Sequence, residues 1–141
     1  MTFQLVLPSK PNPLQALRLA EIICEIYDDA DEETCTRISE LEEIIITDPW
    51  WAYCYAADRL KGRFELGEQI ISTDAESSYG YASEIIKGRF EIGEPAIATG
   101  ASYSYWYASE IINGRFELGE PAIDLHQRFK TRYTDFINSL D

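Results

Sequence analysis

The chain has 141 residues, of which 25 are acidic and 12 basic, and its formal net charge at pH 7 is −13. Such an acidic surface repels the phosphates of nucleic acids and of anionic lipids, which argues against both as direct partners and favours a protein with a basic surface. A hydrophobic content of 45% and an aromatic content of 13% exclude a disordered chain, and the length predicts one domain over residues 1–141.

The N-terminal residues 1–13 are too rich in proline for a helix and are expected to form an arm. Met1–Leu7 lacks the basic residues that open a secretory signal, and no apolar run approaches the roughly 20 residues of a membrane span. Cys24, Cys35 and Cys54 show no CxxC pairing and are expected to be reduced thiols. These features predict a cytoplasmic protein that does not bind membranes.

A degenerate first repeat follows over residues 14–47, and an acidic insert lengthens it. The insert clusters five carboxylates of interest: Asp28, Asp29, Asp31, Glu32 and Glu33. A calcium loop would need a glycine at its sixth position, which is absent, so no metal ion is expected here. Two interpretations stay open. The insert is a solvated loop, or it contributes to a negatively charged docking surface that, in its sharpest form, imitates DNA.

Residues 48–120 repeat one phrase with a strict period of 26 residues. The period separates three glycines, three arginines and three phenylalanines: Gly62, Gly88 and Gly114; Arg63, Arg89 and Arg115; Phe64, Phe90 and Phe116. A fixed period of this size is typical of stacked repeats, in which each unit buries its apolar face against its neighbours.

Within one unit the apolar spacing is helical. Tyr79 and Ala82 fall on one face of a predicted helix, and Gly80 falls on the opposite face, which should be wet. Gly88 follows the helix and is expected to close it in the left-handed conformation, and a short second helix begins near Glu91. The predicted fold is all-α: a right-handed α-solenoid of helix–turn–helix repeats with terminal caps.

The repeated arginines stand five residues before three equally repeated glutamates: Glu68, Glu94 and Glu120. One interpretation is a ladder of arginines that bind a ligand. The favoured one is a structural brace, in which each arginine caps the carbonyls of the preceding helix and pairs with its glutamate across the turn. Recurrence in every unit favours the brace, because scaffold residues must recur. The phenylalanine of each unit is expected to be a plug that fixes the angle between the two helices.

The tryptophans do not recur as a set. Trp106 stands where the preceding repeats have Cys54 and Gly80, at a position that the helical pattern places outward. An exposed, non-repeating aromatic side chain is the kind of anchor that dominates binding energies at interfaces. A candidate partner-binding face therefore comprises four residues: Trp50, Trp51, Tyr103 and Trp106. The alternative is a surface that an adjacent loop or cap covers.

Residues 121–141 leave the repeat and are expected to form a C-terminal capping helix. His126, the single histidine, lies there beside no obvious nucleophile. The chain contains no GxSxG, HExxH or P-loop motif, and "GRFELGE" lacks the lysine and hydroxyl residue that would hold phosphate. We therefore predict no catalytic residues, no cofactor and no enzymatic activity.

The phrases "YASEIIKGRFEIGEPAI" and "DPWWAYCYAADRLKGRFELGE" resemble short tandem helical repeats of bacteriophage and environmental viral proteins. The resemblance covers about Asp48 to Ile123. It implies a viral or phage-related origin, and with it the cytoplasm of a host cell. It implies no activity, and it assigns no catalytic residue.

These observations favour a non-enzymatic acidic module that binds a host protein and modulates or inhibits it. An acidic DNA mimic that blocks a nucleic-acid-binding defence or transcription protein is the second hypothesis. A structural or assembly component is the third.

Overall fold

The computed structural model of the chain describes residues 12–26 and 32–140, and within them the regular structure is entirely helical. Two helices precede three repeats, and one helix follows them. The first two are α1 (Pro13–Ile26) and α2 (Glu32–Ile45). The longer helices of the repeats are α3 (Pro49–Cys54), α5 (Ala75–Gly80) and α7 (Ala101–Trp106), and their π-helical ends are Tyr55–Leu60, Tyr81–Ile86 and Tyr107–Ile112. The 3-10 turns are Glu65–Gly67, Glu91–Gly93 and Glu117–Gly119; the short helices are α4 (Glu68–Ile71), α6 (Glu94–Ile97) and α8 (Glu120–Asp124). The last helix is α9 (Gln127–Ser139).

Successive units pack in chain order, which confirms the predicted all-α solenoid of helical repeats. One continuous core runs through the stack. Its largest fully buried side chains recur with the period of the repeat: Tyr55, Tyr81 and Tyr107 from the longer helices, and Ile71, Ile97 and Ile123 from the short ones. The most closely packed elements belong to the same unit or to adjacent units, so the fold grows by nearest-neighbour packing.

Asp48 and Asp74 begin the longer helices of the first two repeats. The carboxylate of each accepts a hydrogen bond from an N–H three residues on, from Trp51 at 3.1 Å and from Ser77 at 2.9 Å. Because the first N–H groups of a helix lack intrahelical partners, these bonds fix where the helices start. Gly100 takes this position in the third repeat, where no side chain supplies the bond.

The residue that closes each longer helix stands one position before the expected glycine. The left-handed residues are Lys61, Lys87 and Asn113, with φ of 50°, 55° and 55°. In the second repeat the N–H groups of Lys87 and Gly88 both donate to the carbonyl of Ala82. The last turn is thus π-helical, and this wider turn brings the left-handed residue forward. The expectation that Gly62, Gly88 and Gly114 supply the left-handed residue is wrong.

Each phenylalanine lies buried between the two helices of its repeat, as expected. Phe90 packs against Tyr81 with their ring centroids 5.0 Å apart, and the other repeats have the same pair. The Phe90 ring also covers the backbone of Gly93, where a Cβ atom would lie only 2.7 Å from its Cε1. The ring and the glycine together fix the angle between the longer and the short helix.

The degenerate first repeat keeps the register of the others but lacks their turn. Helix α2 runs without a break through the corresponding positions. Ile38 stands where the next repeat has Phe64, and Leu41 stands where it has Gly67. Without the ring and the glycine that it covers, the chain continues as an α-helix. The N-terminal arm lies outside the described residues except for Asn12 and Pro13.

The C-terminal cap begins later than expected, because α8 runs to Asp124 and α9 starts at Gln127. The predicted boundary after residue 120 therefore falls within α8. Helix α9 also preserves part of the repeat. Tyr133 stands 26 residues after Tyr107, is buried, and makes the contacts to the third repeat that Tyr107 makes to the second.

Deleting residues 87–112, one full period, should give a shorter protein that still folds. The deletion joins Ile86 to Asn113, so Tyr81 keeps its contacts with the first repeat and Tyr133 keeps its contacts with the third. We expect a helical circular dichroism spectrum and one cooperative melt at a lower temperature, since one interface is lost.

The matched control deletes half a period, residues 87–99, and so removes the turn and short helix without their longer helix. This variant should lose cooperative unfolding. If both deletions unfold the chain, the contacts are not limited to adjacent units and the solenoid description is contradicted.

Candidate partner-binding surface

A repeated polar node joins each unit to the next. In the second repeat, Arg89 donates two hydrogen bonds to the carboxylate of Glu94, from Nε at 2.8 Å and Nη2 at 3.0 Å. The hydroxyl of Tyr107, in the third repeat, donates to Glu94 Oε1 at 2.8 Å and accepts from the N–H of Phe90 at 2.9 Å. One tyrosine hydroxyl thus satisfies a buried backbone donor and a nearly buried carboxylate.

The same node occurs at two further seams. Arg63, Glu68 and Tyr81 form it with Phe64, and Arg115, Glu120 and Tyr133 form it with Phe116. At the first seam, the hydroxyl of Tyr55 donates to Glu42 at 2.7 Å. The predicted pairing of arginine with glutamate is therefore confirmed. The predicted capping of helix carbonyls by these arginines is wrong, because backbone N–H groups cap the end of the longer helix. The node also includes a tyrosine hydroxyl that the sequence interpretation did not assign.

The buried tyrosines of the node have raised pKa values. Burial, and then the hydrogen bond to Glu68, raises the pKa of Tyr81 from 10.0 to about 12. Burial and the bonds to Glu94 and Glu120 raise the pKa values of Tyr107 and Tyr133. A group whose pKa is higher in the folded state stabilises the fold below its unfolded pKa, and this contribution is lost as the pH rises through the folded value.

Alkaline titration should therefore unfold the chain between about pH 10 and pH 12, the range in which the free energy from Tyr81 disappears. Tyrosinate absorbance should rise in two phases, the second coinciding with loss of helical circular dichroism. In denaturant all nine tyrosines should ionise together. Complete ionisation near pH 10 with the helical signal intact would contradict the buried node.

Trp106 lies in an aromatic cluster and is only partly exposed. Its ring centroid is 5.9 Å from that of Tyr79, 5.8 Å from Tyr103 and 6.3 Å from Phe129. The position faces the preceding repeat: at the equivalent Gly80, a Cβ atom would lie 2.8 Å from Tyr53 Cζ. The expectation that this position points outward is wrong, because each longer helix covers that side of its neighbour.

Trp106→Ala should accordingly lower the free energy of unfolding by about 2 kcal/mol, since it removes a half-buried indole from three ring contacts. Thermal or denaturant melting measures this cost. Trp50→Ala is the matched control, because the Trp50 side chain is 40% exposed and should cost less than about 1 kcal/mol. Equal small effects of the two changes would restore Trp106 as a surface residue.

The four candidate aromatic residues do not form one face through direct ring contacts. Trp50 contacts Tyr53 in the first full repeat, at 5.4 Å between centroids. Tyr103 and Trp106, in the third repeat, contact each other and Tyr79 of the second repeat. Trp51 is half-buried. Trp50 is thus the most exposed member of the predicted face.

Of the acidic insert, only Glu32 and Glu33 lie within the described residues. They occupy the first turn of α2, where carboxylates complement the helix dipole, and Glu33 lies 3.4 Å from Arg37. Asp28, Asp29 and Asp31 lie outside the described residues, so the interpretation of the insert as a docking surface stays a prediction.

The structure reveals one surface that the sequence interpretation missed, an exposed row that we call the apolar ladder: Leu66, Ile92 and Leu118. Each is the middle residue of a 3-10 turn and lies between the buried phenylalanine and the covered glycine, which turns it outward. The exposed fractions are 54%, 48% and 54%. A glutamate precedes each rung: Glu65, Glu91 and Glu117, all exposed and without an ion pair among the described residues. The signal was available as the recurring "ELG" and "EIG".

Comparison with family models, with curated proteins and with solved structures finds no match. Among residues 12–26 and 32–140, no cluster of histidine, cysteine or carboxylate side chains is arranged to hold a metal ion. No helix in this described part is long and apolar enough to cross a membrane. The candidate site therefore rests on the geometry and charge of the surface.

Proposed function

We propose that the chain is a non-enzymatic interaction module that binds a protein with a basic surface through the apolar ladder. The observation that carries the proposal is the regular exposure of Leu66, Ile92 and Leu118 beside unpaired glutamates. Apolar side chains exposed in a row and rimmed by charge mark interaction sites more often than single exposed residues do.

The contacts that fix the turn and the seam are made by other residues. The turn is held by Phe90 and Gly93, and the seam between repeats is held by the polar node. At one other exposed position, the lysine of the first two repeats, Lys61 in the first, is replaced by Asn113 in the third, but the ladder position stays leucine or isoleucine. Retention of an exposed apolar residue without a packing role supports a binding role.

The arginines of the node support the same proposal indirectly. Each guanidinium is already paired with its own glutamate, so it does not neutralise Glu65, Glu91 or Glu117. A basic partner surface would gain both the apolar contact and the charge attraction. The resemblance to phage repeats makes a host protein the proposed partner and a host cell the proposed location.

The test is a salt-dependent capture experiment with a matched pair of variants. The wild-type chain, the triple variant Leu66→Ser, Ile92→Ser, Leu118→Ser and the control Leu125→Ser are each immobilised and exposed to lysate. Leu125 is 90% exposed but lies outside the ladder. Proteins that bind wild type and the control but not the triple variant are purified, and their affinities are measured.

We expect the purified partner to bind the triple variant more weakly than wild type by at least about 2 kcal/mol. Its binding to wild type should also weaken when salt rises from about 50 to about 300 mM. A partner that binds all three chains equally would contradict the ladder as the site. Competition by duplex DNA for that partner, together with insensitivity to the three serines, would instead favour the DNA-mimic hypothesis.

A further inference from the structure

The three rungs of the apolar ladder occupy the same position in three successive repeats, 26 residues apart along the chain. Helix α6 contacts the turn Glu117–Gly119 of the next repeat, so adjacent repeats pack directly against each other on this side of the stack. Packed helices lie about 8–10 Å apart, which places the first and third rungs about 20 Å from each other. Any partner that uses all three must present apolar groups at this interval.

An amphipathic α-helix presents apolar groups at nearly this interval. Residues seven apart lie on one face and are about 10.5 Å apart along the axis. Two such intervals span about 21 Å, close to the estimated length of the ladder. A helix of roughly 15–20 residues is therefore long enough to reach from Leu66 to Leu118.

An extended peptide can match the interval but gains less from this surface. Extended peptides draw much of their affinity from main-chain hydrogen bonds to the edge of a sheet. The described part of the chain holds no strand, and the turn N–H groups, such as that of Gly93 to the Phe90 carbonyl at 3.0 Å, are already bonded within their unit. A helix bonds its own backbone and needs only side-chain contacts.

The charge beside the ladder specifies the flanks of that helix. Glu65, Glu91 and Glu117 stand beside the three rungs at the same period. Lysines or arginines next to each apolar residue of the partner helix would meet these carboxylates, which adds attraction at long range and orients the helix.

We infer that the ladder binds a basic amphipathic α-helix of the partner, with apolar residues seven apart that meet Leu66, Ile92 and Leu118. The inference rests on the proposed function and adds the class of partner and its register. Its test must therefore distinguish binding that depends on the seven-residue spacing of the partner's apolar residues from binding to the ladder in general.

The probes are two synthetic peptides of about 20 residues, both rich in lysine and alanine and each with three leucines. One has its leucines every seven residues. The other has the same composition with leucines every five residues, which spreads them around the helix. Each labelled peptide is titrated with the full chain, with the triple serine variant and with Leu125→Ser, and anisotropy reports binding.

We expect the first peptide to bind wild type and the Leu125→Ser control at least about tenfold more tightly than the second. The triple variant should abolish that difference, and circular dichroism of the chain should show that it remains folded. The bound first peptide should gain helical signal.

Equal affinity for the two peptides would overturn the inferred register. If both peptides bound wild type equally but bound the triple variant more weakly, the proposed function would stand and only the inference of a helical partner would be rejected. Binding of the first peptide that does not change in the triple variant would overturn both proposals. No binding of either peptide would overturn the helix inference, and the capture experiment would decide the function.

Discussion

Gly93→Ala should destabilise the fold by close to 3 kcal/mol, at the upper end of the range of about 1–3 kcal/mol for inserting atoms into a packed core. The added Cβ atom would lie 2.7 Å from Phe90 Cε1 and 2.9 Å from Ser78 Cβ. Phe90 and Ser78 are both buried, so neither side chain yields without a shift of its backbone. The backbone of Gly93, at φ −88° and ψ −11°, suits alanine, so the cost arises from the contact alone.

Gly88→Ala is the matched control within the same turn. A Cβ atom there meets only Ile86 Cγ2, at 3.9 Å, and Gly88 has no positive φ. We expect a change within about 0.5 kcal/mol. Urea unfolding of both variants measures the difference, and the pair contradicts the packing argument if the two costs are alike.

A double-variant cycle isolates the contact. In a Phe90→Ala background the space above Gly93 opens on the ring side, so Gly93→Ala should cost less than it does in wild type. An unchanged cost would assign the effect to Ser78 alone. The degenerate first repeat, residues 14–47, offers a natural precedent. Ile38 and Leu41 occupy these two positions there, and no turn forms.

The contrast between the two glycines shows what the period of the sequence could predict. A strict spacing of 26 identified the units, their helices and the buried phenylalanine. It could not decide which recurring glycine was needed for conformation and which for space. Gly88 stands where left-handed glycines commonly close α-helices, but a π-helical last turn moved that role to Lys87.

The candidate site was harder to predict, because exposure in a solenoid depends on the neighbouring unit. A helical wheel describes Trp106 in isolation and places it outward, but Tyr79 of the preceding repeat and Phe129 of α9 cover it. The apolar ladder was not predicted either, because its members repeat and the binding face was sought among residues that do not. Recurrence was taken as a sign of scaffold, although Ile92 recurs and is 48% exposed.

The polar node between the third repeat and α9 could also have been predicted from the sequence, but it was not. Tyr133 continues the period of Tyr81 and Tyr107 into residues that otherwise leave the repeat. Its hydroxyl accepts from Phe116 N–H at 3.1 Å and donates to Glu120 at 2.7 Å. The C-terminal helix therefore caps the stack by imitating one residue of the next unit.

Tyr107→Phe should lower the free energy of unfolding by about 3 kcal/mol, although it removes a single oxygen atom. The buried N–H of Phe90 loses its acceptor, which costs about 1–3 kcal/mol, and Glu94 loses a charge-assisted bond in a nearly buried position. Glu94 keeps its two hydrogen bonds from Arg89, so the loss at the carboxylate is limited to the bond from the tyrosine hydroxyl.

Tyr105→Phe is the control, because Tyr105 is only half-buried, packs on Phe129 and has no hydrogen bond at its hydroxyl within the described residues. It should change stability by less than about 0.5 kcal/mol. Tyr133→Phe should fall between the two, because its partner Glu120 is more exposed, at 25% of its side chain against 11% for Glu94, and water replaces part of the lost bond. Denaturant melts of the three variants give the order. If Tyr107→Phe costs no more than Tyr105→Phe, the hydroxyl does not join the units, and the seam is held by apolar packing alone.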